Sequence, residues 1–332
     1  MNMDGPMRPR SASLVDFQFG VVARETIEDA LLHLAQQNEQ AVQEASGRLG
    51  SFREPRIVEF VFLLSEQWCL EKSVSYQAVE ILERFMVKQA ENIYRQATIQ
   101  PRDNKRESQN WRALKEQLVN KFTLRLVSCV QLASKLSFQN KIISNITVLN
   151  FFQALGYLHT KEELLESELD VLKSLNFQIN LPTPLAYVEM LLEVLGYNGC
   201  LVPAMRLHAT CLTLLDLVYL LHEPIYESLL RASIENSTPS QLQGEKFISV
   251  KEDFMLLAVG IIAASAFIQN HECWSQVMGH LQSITGIALA SIAEFSYAIL
   301  THSVGANTPG RQQSIPPHLA ARALKTVASS NT

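Results

Sequence analysis

Residues 160–177 read Thr-Lys-Glu-Glu-Leu-Leu-Glu-Ser-Glu-Leu-Asp-Val-Leu-Lys-Ser-Leu-Asn-Phe. Leu165, Leu169 and Leu172 recur at spacings that bring them onto one face of a helix. Thr160 followed by Glu163 is a capping box: the hydroxyl accepts from the third helical N–H while the carboxylate reaches back, which fixes a helix start at 160. The same periodicity recurs in Ile57, Phe60, Val61 and Leu64, in Val79, Leu82 and Met86, and in Leu124, Val127 and Val130. No comparable alternating run is bounded by hairpin signals, and the 13 glycines and 12 prolines cluster in a few places. The expected fold class is all-α.

The 332 residues correspond to about two domains at ~150 residues each. With 47% hydrophobic residues and a net charge of −5, the chain is not a wholly disordered one, nor a nucleic-acid binder that works by bulk positive charge. Cys69, Cys129, Cys200, Cys211 and Cys273 are odd in number and far apart, with no CxxC, so they read as buried thiols of a reducing compartment. No apolar h-region follows Arg8 and Arg10, so an intracellular protein is expected. The longest apolar stretch, 254–268, falls short of the ~20 residues that cross a bilayer and is expected to be a core helix, with no membrane partner.

Along the chain, residues 1–19 form an expected disordered tail and 20–54 a leading helix with its connector. The helix, 20–46, carries Ile27, Leu31, Leu34 and Val42 on one face. Residues 55–181 form a first helical domain, interrupted by a polar loop from Ala97 to Gln109. Leu181-Pro182-Thr183-Pro184 stops the last helix and reads as a hinge. A second domain spans 182–303, with helices expected at 184–195, 203–221, 252–269, 273–284 and 286–301 around a polar insertion from Arg231 to Gln243. Residues 304–332 are expected to be a mobile tail.

No phosphate loop, nucleophile elbow or HExxH motif is present. His271, Cys273 and His280 are three mixed groups without a fourth ligand, Tyr219 and His222 end an apolar helix, and Glu162, Glu163, Glu166, Glu168 and Asp170 read mostly as a solvated helix face. Hence no catalytic residue, metal or cofactor is expected. Residues 88–125 hold nine cations against four carboxylates, with Tyr94 and Trp111 nearby. This segment reads as a solvated loop rather than a direct nucleic-acid contact.

The run from Trp68 to Met86 ends in the acidic-Arg-Phe triplet Glu83, Arg84 and Phe85, and is followed by Leu132-Ala133-Ser134-Lys135, by residues 160–177 and by Pro182-Thr183-Pro184. In order and spacing these segments resemble the second, third and fifth helices of a cyclin box and the linker behind it. The helix Ala258–Ala266, Trp274 and Ile284-Thr285-Gly286 resemble a second, divergent box more faintly. The resemblance is to the cyclin family, and within it to a divergent branch associated with meiotic crossover formation. It implies two helical boxes behind a leading helix and a non-enzymatic regulatory role in meiotic recombination. It also implies a nuclear, chromosome-associated location, possible alongside a cytoplasmic one, and two kinds of partner, a cyclin-dependent kinase and meiotic crossover proteins.

The resemblance assigns kinase binding to the pair Lys135 and Glu168, with Leu132, Leu136, Leu172 and Ile179 as apolar contacts. Spacing makes physical sense of the pair: each charge borders an apolar stripe and is desolvated when a partner docks. From spacing alone, a snorkelling lysine and a solvated carboxylate remain the alternative. Departures from the family pattern are also plain. Arg53-Glu54-Pro55-Arg56-Ile57 stands where groove-bearing cyclins have Met-Arg-Ala-Ile-Leu, which argues against docking of short substrate motifs. Leu136, Ser137 and Phe138 replace the usual acids after the lysine. A kinase-independent scaffold built on the same fold, assembling crossover or transcription factors, is therefore the second reading.

Overall fold

The computed structural model describes residues 19–45, 51–99, 121–137, 142–197, 203–233 and 247–306, and among these every regular element is helical. The leading helix α1 spans Arg24–Ala45. A first unit follows: α2, Pro55–Gln67; α3, Lys72–Ile99; α4, 121–136; α5, Asn145–Ala154; and α6, Lys161–Ser174. The second unit contains α7, Pro184–Tyr197; α8, Ala204–Leu220; α9, His222–Ser233; α10, 247–251; α11, Phe254–Gln269; α12, Trp274–Thr285; and α13, Leu289–Ala306.

Local chemistry sets the ends of these helices. Pro55 opens α2, where its missing N–H costs nothing. Ser144 caps α5 by accepting from Thr147 N, and Asp253 caps α11 by accepting from Leu256 N at 2.9 Å. Gly286, at φ +72°, ends α12 in the left-handed conformation that a glycine takes most readily.

Each unit is built around one helix buried on all sides. In α4, residues 126–131 are all at most 1% exposed, and the helix meets α3, α5 and α6 through Arg125 over the Phe85 ring, Gln131 to Asn145, and Ser128 to Ser167. In α11, residues 257–266 are buried, and α7, α8, α12 and α13 pack around them. Gly260 makes room for α13, since a Cβ there would lie 2.7 Å from the Phe295 ring.

The two units share one continuous apolar core. Polar ties reinforce the seam: Tyr76 stacks on Tyr219 at 5.0 Å and donates to Asp216 at 2.7 Å, while Tyr219 donates to Glu80 at 2.8 Å. The leading helix belongs to the second unit by its contacts. Val21 N and Val22 N both donate to Glu193, Tyr187 Oη donates to Leu34 O, and Asn38 bonds Asp253 and accepts from Met255 N at the start of α11.

Several boundaries differ from the sequence expectation. Phe19 is packed against His208 and is not part of a free tail. Residues 97–99 still belong to α3, and 304–306 to α13; the remainder of the expected polar loop and of the expected C-terminal tail lies outside the described residues. Arg231–Ser233 belong to α9, a helix absent from the sequence expectation, which ended the preceding helix at 221. The two meet at 87°, with Pro224 in the first turn of α9 and its Ile225 and Tyr226 buried. The rest of the insertion, 234–243, also lies outside the described residues.

Candidate functional site

The capping box forms as its spacing requires: Glu163 N donates to Thr160 Oγ1 at 3.1 Å and Thr160 N to Glu163 Oε2 at 2.9 Å. It fixes the start of α6, while the contact of Ser167 with Ser128 sets which side chains point inward. The core takes Leu164, Ser167, Glu168, Val171 and Leu175. Leu165 and Leu169, the stripe that marked the helix in the sequence, are 43% and 42% exposed, and Leu172 is half-buried. Helix α6 thus carries two apolar stripes, one packed and one facing outward. Glu168 stands on the packed side next to the outward one.

Glu168 is therefore not the solvated carboxylate expected of this acidic face; its side chain is 7% exposed. It accepts from Lys135 Nζ at 2.5 Å, at the last turn of α4. Lys135 keeps 37% of its side chain in solvent. Buried Ser128–Ser167 contact at 2.9 Å holds the two helices close enough for the lysine to reach across. A buried carboxylate without a cation would be costly, and the lysine supplies that cation while leaving part of its head available to a partner.

The other residues named from the sequence separate into two groups. Leu136 and Leu172 are partly buried and reach the surface beside the pair, whereas Leu132 and Ile179 are buried in the core and support it from behind. Leu165 and Leu169 extend the exposed ridge along α6, and sequence reasoning did not assign them to the surface. The signal was present, because Leu164, Val171 and Leu175 form a second stripe offset by one residue from the first.

Arg53 ends far from the surface groove that its sequence position suggested. It is 5% exposed, donates to Glu80 and Glu252 at 2.8 Å each, and lies 5.8 Å from the Phe254 ring. Burial alone would lower its pKa, but Glu252, Glu80 and Glu83 together hold it well above the ordinary arginine value. Glu83, which accepts from Phe52 N, is pushed up by burial, with the arginine opposing. Of the basic stretch 88–125, residues 100–120 lie outside the described residues; Lys88 pairs with Glu91 and Arg125 with Asp170.

Comparison with known proteins agrees with this architecture. The family model for the cyclin N-terminal domain matches residues 27–180, from α1 to the end of the first unit. The chain is 96% identical over 330 residues, 99% of its length and all of the relative's, to Cyclin N-terminal domain-containing protein 1 of Homo sapiens. It is 85% identical over 335 residues, covering both chains fully, to the protein of that name in Mus musculus. Cyclin-domain proteins are regulatory and act through protein partners, kinases among them. With its all-α architecture, its domain match and these full-length relatives, the chain belongs to the cyclin family.

Proposed function

We infer that this protein is a regulatory subunit that binds a cyclin-dependent kinase through Lys135, Glu168 and the apolar residues around them. The observation that carries the reading is a buried Glu168 holding a half-exposed Lys135 beside an outward-facing leucine ridge. In the free chain Leu165 and Leu169 leave about two-fifths of their surface in solvent beside Lys135 and Glu168, a contiguous apolar and charged strip of the kind that marks a protein contact. Against a partner helix the ridge is covered, and Lys135 and Glu168 meet the partner's backbone and side chains in a desolvated setting. The meiotic setting, promotion of recombination and crossover maturation in the nucleus, is supported by the resemblance to the divergent meiotic branch of the family.

Leu165→Asp/Leu169→Asp tests the ridge. Both side chains are about two-fifths exposed; with circular dichroism to establish that the variant is folded, it is expected to capture no cyclin-dependent kinase from germ-cell extract while the wild type does. Equal capture of kinase by both would refute the reading. Equal capture of partners with no kinase among them would instead favour the scaffold.

A further inference from the structure

The leucine ridge of α6 has two unlike borders. One holds Lys135 and the buried Glu168, with Lys161 seven residues before the glutamate on the same side. On the other, Glu162 stands three residues before Leu165 and Glu166 three before Leu169, so both carboxylates edge the ridge over the first turns of the helix. Lys173, four residues after Leu169, edges it at the last turn. Glu162, Glu166 and Lys173 are all exposed, and among the described residues none of the three has a hydrogen-bonded or ionic side-chain partner. The remaining acids of this face are engaged. Glu163 closes the capping box and lies 3.3 Å from His159 Nδ1, while Asp170 lies 3.7 Å from Arg125.

The helix macrodipole accounts for an acid in the first turn and for Lys173 in the last, but its effect fades beyond the terminal turns and does not account for Glu166. Glu166 stands four residues from both Glu162 and Asp170, a spacing at which like charges disfavour the free helix. Arg125 relieves Asp170, and no described residue does the same for Glu166. Partly exposed leucines edged by unrelieved carboxylates form a surface that is completed by cations arriving with a partner.

We propose that the kinase bound on this ridge carries lysine or arginine opposite Glu162 and Glu166 and an acidic residue opposite Lys173, so that this border of α6 selects among kinases and sets their register. The inference rests on kinase binding at the Lys135–Glu168 surface. There the leucines and the buried pair supply the desolvated centre. The border stays at the rim, where charge acts on the rate of association and on rejection of wrong partners.

The test takes the cyclin-dependent kinase that the wild-type chain retains from germ-cell extract, purifies it, and measures its binding to full-length variants by biolayer interferometry at about 0.05 M and about 0.5 M NaCl. Glu162→Lys/Glu166→Lys is expected to weaken binding about tenfold at the lower salt, mainly through slower association, with a smaller difference at the higher salt. Lys173→Glu is expected to weaken it about threefold, whereas simple attraction by the chain's net charge of −5 would make that variant bind more tightly. Circular dichroism establishes that each variant is folded. Unchanged affinity of Glu162→Lys/Glu166→Lys, or tighter binding by Lys173→Glu, would overturn the proposal while leaving kinase binding intact if Lys135→Ala/Glu168→Ala still loses the kinase. Retention of no kinase by the wild type would overturn both.

Discussion

The guanidinium of Arg53 donates to the carboxylate of Glu252 at 2.8 Å, joining residues that lie 199 positions apart in the chain. One residue from the connector ahead of α2 thus ties the first unit to the start of α11, and through Glu80 to Tyr219 of α8. Tyr76 of α3 makes a second tie across the same seam, donating to Asp216 of α8 at 2.7 Å. Placement of the two units therefore depends on buried charge as well as on the shared apolar core.

Arg53→Met removes the cation and leaves Glu80 and Glu252 buried without it. Breaking such a pair from one side costs about 3–5 kcal/mol, and urea denaturation is expected to show a loss of that size. Arg53→Lys recovers only part, because an ammonium lacks the planar fork that reaches both carboxylates. A loss below about 1 kcal/mol for Arg53→Met would contradict this account of the seam.

Gly260→Ala introduces a methyl group 2.7 Å from the Phe295 ring, at the contact between α11 and α13. Overpacking of this kind costs roughly 1–3 kcal/mol, more than the helix propensity gained from alanine. Thermal melts are expected to fall, and Phe295→Leu in the same chain is expected to restore part of the difference.

Thr160→Ala deletes one half of the capping box, at a cost of about 0.5–2 kcal/mol in urea. Because α6 carries Glu168, amide exchange in its first turn is expected to quicken as well.

His222 gives the fold a pH dependence. Burial holds its imidazole below the ordinary histidine value; the Glu223 carboxylate, 3.6 Å from Nδ1, opposes this, while Arg53 and Lys251 add to it. Between the folded value and the unfolded ~6.5, the unfolded chain binds more protons, so this contribution is present above ~6.5 and is lost as pH falls through that window. Melting temperatures at pH 7.5 and 5.5 are expected to differ more for the wild type than for His222→Asn. Glu83, raised by burial, acts with the opposite sign, and it is present in both proteins, so it cancels in the comparison.

The helices of the first unit were legible because their signals are local: the Thr160 cap, Pro55 at the start of α2 and the periodic leucines each act within a turn or two. The facing of α6 was not legible, since Leu165 and Leu164 begin two equally apolar stripes and only the tertiary contact of Ser167 with Ser128 chooses between them. Lys135 and Glu168 were found through family resemblance, and spacing alone left them ambiguous. The seam was hidden for the same physical reason. An arginine at position 53 looks like any surface cation until its carboxylate partners, 27 and 199 residues away, are brought to it by the fold.

The most direct test of the account is capture of cyclin-dependent kinase by the wild type and by Lys135→Ala/Glu168→Ala, with circular dichroism to establish that the double variant is folded. Removing both partners avoids leaving Glu168 buried and unpaired, so the variant isolates binding from stability. The account predicts that the wild type retains kinase and the folded variant loses it. Equal retention of kinase by the two proteins would contradict it.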